Sequence, residues 1–595
     1  MAKTTERSES AAFAPPGFAR VAPAERLRGA GPHGVSADGT DVVLVRTSAG
    51  LRAFEGRCPH QGALLAEGEL DNGYLICSNH GWRFNLETGR RAGGPGRLAS
   101  CPVIERDGEV FVDVTSVSDG TLRTAGSTRS LSEVPGPPGI PLLGNLHQIR
   151  LTSMHRTLEG WAAMYGPLYS FRMGPKRMVV VSDAELAHQV LRARPSTYRR
   201  LARIEEFGSD IGLPGVFSAE GAAWQQQRRL WTDALGSGRV RNSYPILKTV
   251  VDRLRERLND AAQRGGPIDI VSEFKRFTAD TTTFLALGYD LNSLGETDDI
   301  VQRHLDTIFR VITRRSLALI PTWRFIRLPS DRECERALVY MRKWVAELVT
   351  DTRARFAADP ASAERPVTLL ESFVAARDEN GRPFSNEVIL GNMLDALLAG
   401  EETTAYTLGW AVHILCDSPA PVAALRAEAE AVLGSSTAPD DYEAVRRLAY
   451  TGAVVSETLR LRPTGPLLVP NETATDTVLS NVSLPAGTPV LVLARPPTVD
   501  RENFAEPEAF RPERWLTRAQ GAHNPSAFMP FGTGPRVCPG RSFGLLSAKV
   551  VLAMLYRYFE VERVGRSEQV SEHLEIAMEP AGLRVALRPR DSSSS

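Results

Sequence analysis

The chain has 595 residues, enough for about four domains on length alone, with 42% hydrophobic and 24% charged residues, values of an ordinary globular protein. Lys plus Arg and Asp plus Glu each total 70, so the net charge is zero; a general nucleic-acid or anionic-membrane binder, which carries a basic excess, is excluded. Six cysteines are too few for a disulfide framework and fit a reducing compartment.

The first residues, MAKTTERSESAAFAPPGFAR, contain no apolar core of signal-peptide length, and no run of 18 apolar residues occurs anywhere. A soluble, cytoplasmic protein with no transmembrane segment is expected, with residues 1–17 as a disordered tail. Residues 18–114 are rich in Gly and Val and carry short alternating stretches, Asp41–Val45 and Glu109–Val114 among them. They predict strands and turns, with no helix of useful length. Residues 115–134 have the Ser, Thr and Gly composition of a flexible linker. After Pro135 long helical patterns dominate, such as Leu247–Gln263 and Ser385–Cys416, with a few strand-like runs such as Met178–Val181. Residues 135–590 therefore predict a mainly α domain able to bury a cofactor, and 591–595 (DSSSS) a second disordered tail. The fold class expected is a small all-β domain followed by a mainly α one.

Cys58-Pro-His60 and Cys77-Ser-Asn-His80 place two thiols and two imidazoles in two tight loops with sixteen residues between them. Such a set suits zinc or an iron–sulfur cluster. Both loops continue with Gly and lie between predicted strands instead of against a finger helix, which favours iron. CPHQGA and CSNHGWRF resemble the Rieske family over residues 18–114. The resemblance implies a 2Fe–2S cluster with Cys58 and Cys77 on one iron and His60 and His80 on the other, the imidazoles at an exposed tip. The extra loop cysteines of high-potential members are matched here by Ala63 and Asn79, and a donor Ser by Trp82. A low-potential, ferredoxin-like centre is expected.

The stretch FGTGPRVCPG at 531–540 places Phe531, Arg536, Cys538 and Gly540 in the spacing FxxGxRxCxG. Glycines let such a loop turn tightly against a flat cofactor, nearby N–H groups donate to a thiolate, and Arg536 supplies a cation for a carboxylate. The loop resembles the haem-binding loop of the cytochrome P-450 family, which makes Cys538 the axial thiolate of haem b and implies a haem-thiolate monooxygenase. Further stretches resemble that family in its order. PGPPGIPLLGN at 135–145 resembles its proline-rich lead-in, and Trp224 and Arg228 in WQQQR its propionate-binding helix. Ala399–Thr404 (AGEETT) resembles its oxygen-binding helix kink. Glu457 and Arg460 (ETLR), with Arg514 in FRPERW, resemble its structural ion-pair set.

The resemblance gives Thr403 the role of positioning water near bound oxygen. Two roles stand open for Glu402: proton relay to solvent, or a structural pairing with a nearby cation. Gly400 is expected to let the helix open where oxygen sits. Asn471 occupies the place of an Arg that many bacterial members use for the second propionate, so binding leans on Trp224, Arg228 and Arg536. Cys101, Cys334 and Cys416 have no ligand partners and read as packing residues.

No G-x-G-x-x-G follows a strand, so no flavin or nicotinamide module is visible. The N-terminal domain then reads as a built-in ferredoxin fed by a separate NAD(P)H-dependent flavin ferredoxin reductase. A linker of about 20 residues spans roughly 25 Å and holds the domains at an effective concentration on the order of millimolar. Arg228, Arg229, Arg536, Arg541 and Lys549 would make the thiolate-side face basic, and Glu67, Glu69 and Asp71 could complement it.

A Rieske non-haem oxygenase is set aside, because no closely spaced His pair follows the linker apart from His147 and His155. A peroxide-driven haem-thiolate enzyme needs no donor domain, and a haem-thiolate redox sensor has no module here to signal through. The sequence thus predicts insertion of one oxygen atom from O2 into a lipophilic small molecule such as a fatty acid, terpenoid or polyketide. Contacts would come from Leu201–Phe217, Val301–Ile326 and Pro463–Pro470.

Overall fold

The computed structural model describes residues 17–590, apart from 28, 30, 38, 48–49, 59–62, 79–80, 93–97, 115–127, 211–213, 296–299, 318–321, 379 and 517–522. The expected tails at 1–16 and 591–595 and most of the expected linker lie outside the described residues.

Residues 19–112 are strands and turns with two short 3-10 turns. His33–Ala37, Thr40–Thr47, Gly50–Glu55 and Ser100–Cys101 pair in that order as one antiparallel sheet. Val42–Val45 is an unbroken apolar run because this strand separates two small cores. Val42 and Leu44 pack with Ala53, Cys101 and Val110, whereas Val43 and Val45 pack with Phe54, Leu75 and Phe84. The second core also takes in Cys58 and Cys77 and rests on a small sheet of Glu69–Asp71, Tyr74–Ile76 and Arg83–Asn85.

The larger domain is mainly helical. Its centre is the 30-residue helix Asn386–Leu415, started by the Ser385 hydroxyl accepting from the Val388 N–H. From Ala405 onward nearly every side chain is buried, the pattern of a helix with protein on all sides. Ile270–Leu287 packs along it, and Gly400 sits against the Thr282 side chain: a Cβ there would lie 2.6 Å from Thr282 Oγ1. The helical pattern runs through Gly400 without a break, so the opening expected there is replaced by close helix packing.

A five-stranded sheet runs Leu168–Met173, Lys176–Val181, Pro489–Val492, Asn471–Thr473, Tyr198–Arg200. The strand at Tyr198–Arg200 pairs Arg200 with Asn471. The end of the expected linker is ordered: Arg129 and Ser130 pair in parallel with Val482 and Ser483, and Ser130 and Glu133 cap a 3-10 turn. Among the described residues no helix is long and apolar enough to cross a membrane.

Candidate active site

Cys58 and Cys77 each open a loop closed by its own backbone. The Cys58 N–H donates to Ala63 O and the Cys77 N–H to Trp82 O, both at 2.8 Å, and Gly81, at φ 65°, donates to Cys77 O. Both thiols are buried. His60 and His80 lie outside the described residues. Trp82 carries the Arg91 guanidinium over its ring at 3.4 Å. Cys101 sits in the other core, where burial pushes its thiol up to about 12, and so is chemically inert.

In the large domain the loop before Arg541–Tyr558 folds back on itself, the Cys538 N–H donating to Phe531 O at 2.9 Å. Gly532 and Gly534 have φ of 67° and 72°, and a Cβ at Gly534 would strike Leu191 O at 2.4 Å. Burial pushes the Cys538 thiol up, opposed by the Gly540 N–H and by Arg228 and Arg541.

Buried arginines crowd this loop. Arg536 pairs with Glu220 at 2.7 Å, donates to Ala219 O at 2.8 Å and stacks 4.4 Å from the ring centroid of the buried Trp224. Among the described residues its Nε and Nη1 have no partner. Arg194 donates to Leu191 O and Thr533 O; Arg200 donates to Phe217 O, and among the described residues its buried Nε has no partner. Burial, compounded by the neighbouring guanidinium groups, lowers Arg194 to about 9 and Arg228 and Arg536 to about 10. Three of these cations, Arg194, Arg200 and Arg536, share Glu220, while Arg228 feels Asp41 and Arg200 also Asp395, a set short of negative charge. A haem with two propionates carries the missing anions, so these residues fit that cofactor. Arg200 was not expected in this group: it comes from the strand paired with Asn471, a neighbour that only the register reveals.

Thr403 Oγ1 donates back to Ala399 O at 2.8 Å. Glu402 accepts from Lys275 Nζ at 3.3 Å, so the pairing with a cation that the sequence left open exists. The Tyr406 hydroxyl lies within hydrogen-bonding reach of Glu402 and Glu579. Burial disfavours charge on Lys275, but Glu402 and Glu401 outweigh it and its pKa is raised. Glu401 is pushed by burial to about 7. Beside the stretch Leu201–Phe217 expected near a substrate, Arg199 is paired with Glu205, and the Phe217 N–H donates to Asp395 Oδ2 at 2.7 Å.

Glu457 is fully buried and accepts from Arg460 Nε and Nη2, Arg514 Nε, Trp515 Nε1 and the Arg511 N–H, all between 2.8 and 3.0 Å. Arg460 also reaches Thr498 O, Pro507 O and Ala509 O.

The two thiolate loops face each other. Glu55 and Arg192 form a cross-domain pair at 3.5 Å, and a Cβ on Gly39 would lie 3.5 Å from the Trp224 ring. A cleft of about 650 Å³ between the domains is lined by Cys77 and Trp82 on one side and Cys538 and Arg541 on the other. Glu67 and Glu69 line it too, whereas Asp71 is occupied by Arg83 at 2.9 Å.

Two family models match the chain, Cytochrome P-450 over residues 134–587 and Rieske 2Fe–2S domain over residues 17–102. Among curated proteins, it is 26% identical over 473 residues to a bifunctional cytochrome P-450/NADPH–P-450 reductase of Gibberella moniliformis. That match covers 78% of this chain and 41% of the fungal protein. Pluviatolide synthase of Podophyllum peltatum is 28% identical over 482 residues, 79% of this chain and 95% of that protein.

The cytoplasmic location expected from the N-terminus is corrected by two further relatives. Protein LUTEIN DEFICIENT 5, chloroplastic, of Arabidopsis thaliana is 26% identical over 486 residues, 78% of each chain. Cytochrome P-450 97B2, chloroplastic, of Glycine max is 29% identical over 465 residues, 70% of this chain and 79% of that protein. The expectation rested on a missing apolar signal core, and organelle-targeting segments, which are Arg- and Ser-rich, have no such core either.

Proposed function

Since the chain belongs to the cytochrome P-450 family and carries a Rieske 2Fe–2S domain ahead of it, we propose that the small domain is the built-in electron donor of a monooxygenase acting on a lipophilic small molecule. The observation that carries this reading is the shared cleft, which puts Cys77 and Cys538 on opposite walls. Haem b held through the Cys538 sulfur supplies oxygen activation, and a 2Fe–2S cluster on Cys58, Cys77, His60 and His80 supplies electrons one at a time.

The protein's own groups then have separate tasks. Arg536, Arg200, Arg194 and Arg228 bind the carboxylates that the buried cations lack, and Trp224 fixes Arg536 by stacking. Phe531 and Gly540 shape the loop, and the Gly540 N–H donates toward the thiolate. Because the Thr403 proton is committed to Ala399 O, the hydroxyl oxygen remains an acceptor able to hold a water. Glu402 is held by the Lys275 ammonium and lies beside the Tyr406 hydroxyl, with Glu579 as the next carboxyl along, so its proton path to solvent would run through Tyr406. Glu457, Arg460 and Arg514 are structural.

The match to the fungal bifunctional protein covers 41% of that protein; the partner proposed for the built-in donor is a separate NAD(P)H-dependent flavin ferredoxin reductase. The test follows the haem Soret band under anaerobic CO with NAD(P)H and such a reductase, in wild type and Cys77→Ser. A thiolate-type CO complex forming in wild type alone supports the reading. Equal rates in both proteins would overturn the donor role and leave the haem chemistry standing.

A further inference from the structure

The charges around the interdomain cleft do not follow simple complementarity. The small domain contributes Arg57 and Arg91 to its lining, and the large domain contributes Arg228, Arg446, Arg514, Arg541 and Lys549. Glu67 and Glu69 are the carboxylates among the described lining residues. Asp41, across the boundary from Arg228, is already taken by Arg57 at 2.6 Å. Arg541 is buried at the first turn of its helix and feels Cys58 and Cys77 across the boundary as well as Cys538 in its own domain.

Cations on both walls would repel unless something between them carries negative charge. Two ferric ions, two sulfides, two thiolates and two neutral imidazoles sum to zero; one added electron, with no proton, makes the sum −1. A cation beside such a group stabilises the reduced form far more than the oxidised one.

We propose that Arg541 is a positioning residue acting across the domain boundary: it raises the reduction potential of the Rieske cluster and makes docking of the small domain redox-dependent, tight when reduced and weaker when oxidised. Linkage requires the two effects to be equal. One electron from the flavin reductase loads the cluster and tightens docking; its departure to the haem iron returns the cluster to zero charge and loosens the domain for reloading. Arg541 also faces Cys538, so it stabilises the electron on both sides and leaves the driving force between the centres nearly unchanged. Turnover is therefore a poor readout and the cluster's potential is the direct one. This inference rests on the N-terminal domain being the donor.

The experiment is a stepwise dithionite titration of full-length holoprotein, with the reduced cluster read by its EPR signal, in wild type, Arg541→Gln, Lys549→Gln and Arg353→Gln. Arg541→Gln should favour the oxidised cluster about tenfold more than wild type, a fall of about 59 mV for one electron. Lys549→Gln should shift it less and with the same sign, and carries the test if Arg541→Gln does not load haem. The exposed Arg353, on the helix Pro329–Ala358, should shift nothing. Raising salt should lower the wild-type potential and move Arg541→Gln less. Equal potentials in wild type, Arg541→Gln and Lys549→Gln at low salt would overturn the proposal. Should Cys77→Ser still block haem reduction in that case, only this inference falls; should the potential shift while Cys77→Ser reduces haem normally, the donor role falls and the electrostatic coupling stands.

Discussion

Two clusters of buried arginines in one domain have opposite hydrogen-bond balances. Around Glu457 the guanidinium nitrogens of Arg460 and Arg514 all find acceptors, on the carboxylate and on the carbonyls of Thr498, Ala505, Glu506, Pro507 and Ala509. Around Cys538 the Nε and Nη1 of Arg536 and the Nε of Arg200 find none among the described residues, and Glu220 serves several cations. The first cluster is complete as folded protein and its work is structural. The second is completed only by an anion the chain does not encode, which makes it a binding site.

The largest effect expected is at the thiolate. Cys538→Ser should abolish the thiolate-type CO complex, read in the Soret band of the reduced protein, without disturbing the Glu457 cluster. If that complex survived, the assignment of the second cluster to haem would be broken.

Next comes the complete cluster itself. Glu457→Gln leaves Arg460 and Arg514 buried without their counter-charge and should cost roughly 3–5 kcal/mol, measured by urea unfolding of the apoprotein. Added haem should not restore that loss.

A third buried carboxylate sharpens the contrast through pH. Glu572 accepts from His155 Nε2 at 2.8 Å, Arg156 Nε at 2.9 Å and Arg495 Nη1 at 2.6 Å. Burial opposes its charge, but His155 and Arg495 more than offset this and hold its pKa well below the ordinary value of 4.5. A carboxyl with a depressed folded-state pKa stabilises the protein above its unfolded value, and that stability drains away as pH falls through the interval between them. Wild type should therefore lose stability on acidification below 4.5. Glu572→Gln should start about 3 kcal/mol lower at neutral pH and show a shallower acid slope in urea midpoints.

At the incomplete cluster the sign should reverse. Arg536→Gln removes a partly uncompensated buried cation, so the apoprotein should be no less stable than wild type. The same change should weaken haem binding about tenfold or more, the value of one charge-assisted hydrogen bond. Titrating the apoprotein with haemin and melting both forms measures the two effects separately. A substitution that destabilised the apoprotein as strongly as Glu457→Gln would erase the distinction between the clusters.

What the sequence made legible was local in the chain. The cysteine loops and the Glu457–Arg460 pair are read within a few residues, because loop closure and helix spacing are decided there. The contacts it hid are distant. Lys275 meets Glu402 across 127 positions, Arg200 enters the site through strand register, and Asp41 faces Arg228 only because the domains dock. Charge near the docking face misled for the same reason: Asp71 looked available until the fold supplied Arg83.

Gly400 carries the smallest prediction and asks the same question, structure or function, of one missing side chain. Read in the sequence, it opens the helix for oxygen; in the fold, its hydrogen faces Thr282, with room for a Cβ only 2.6 Å from Oγ1 and 2.7 Å from Cγ2. Replacing a helical Gly by Ala normally stabilises by about 1 kcal/mol. Here the helix Ile270–Leu287 must move away or Thr282 must rotate, so Gly400→Ala should give no gain or a net loss of about 1 kcal/mol. Pairing it with Thr282→Ala removes the obstacle, and the double variant should recover the helix-propensity gain. Two residues in contact couple in this way and distant ones do not. If Gly400→Ala instead keeps full stability while the CO complex and product yield collapse, the glycine serves the oxygen site and not the helix contact.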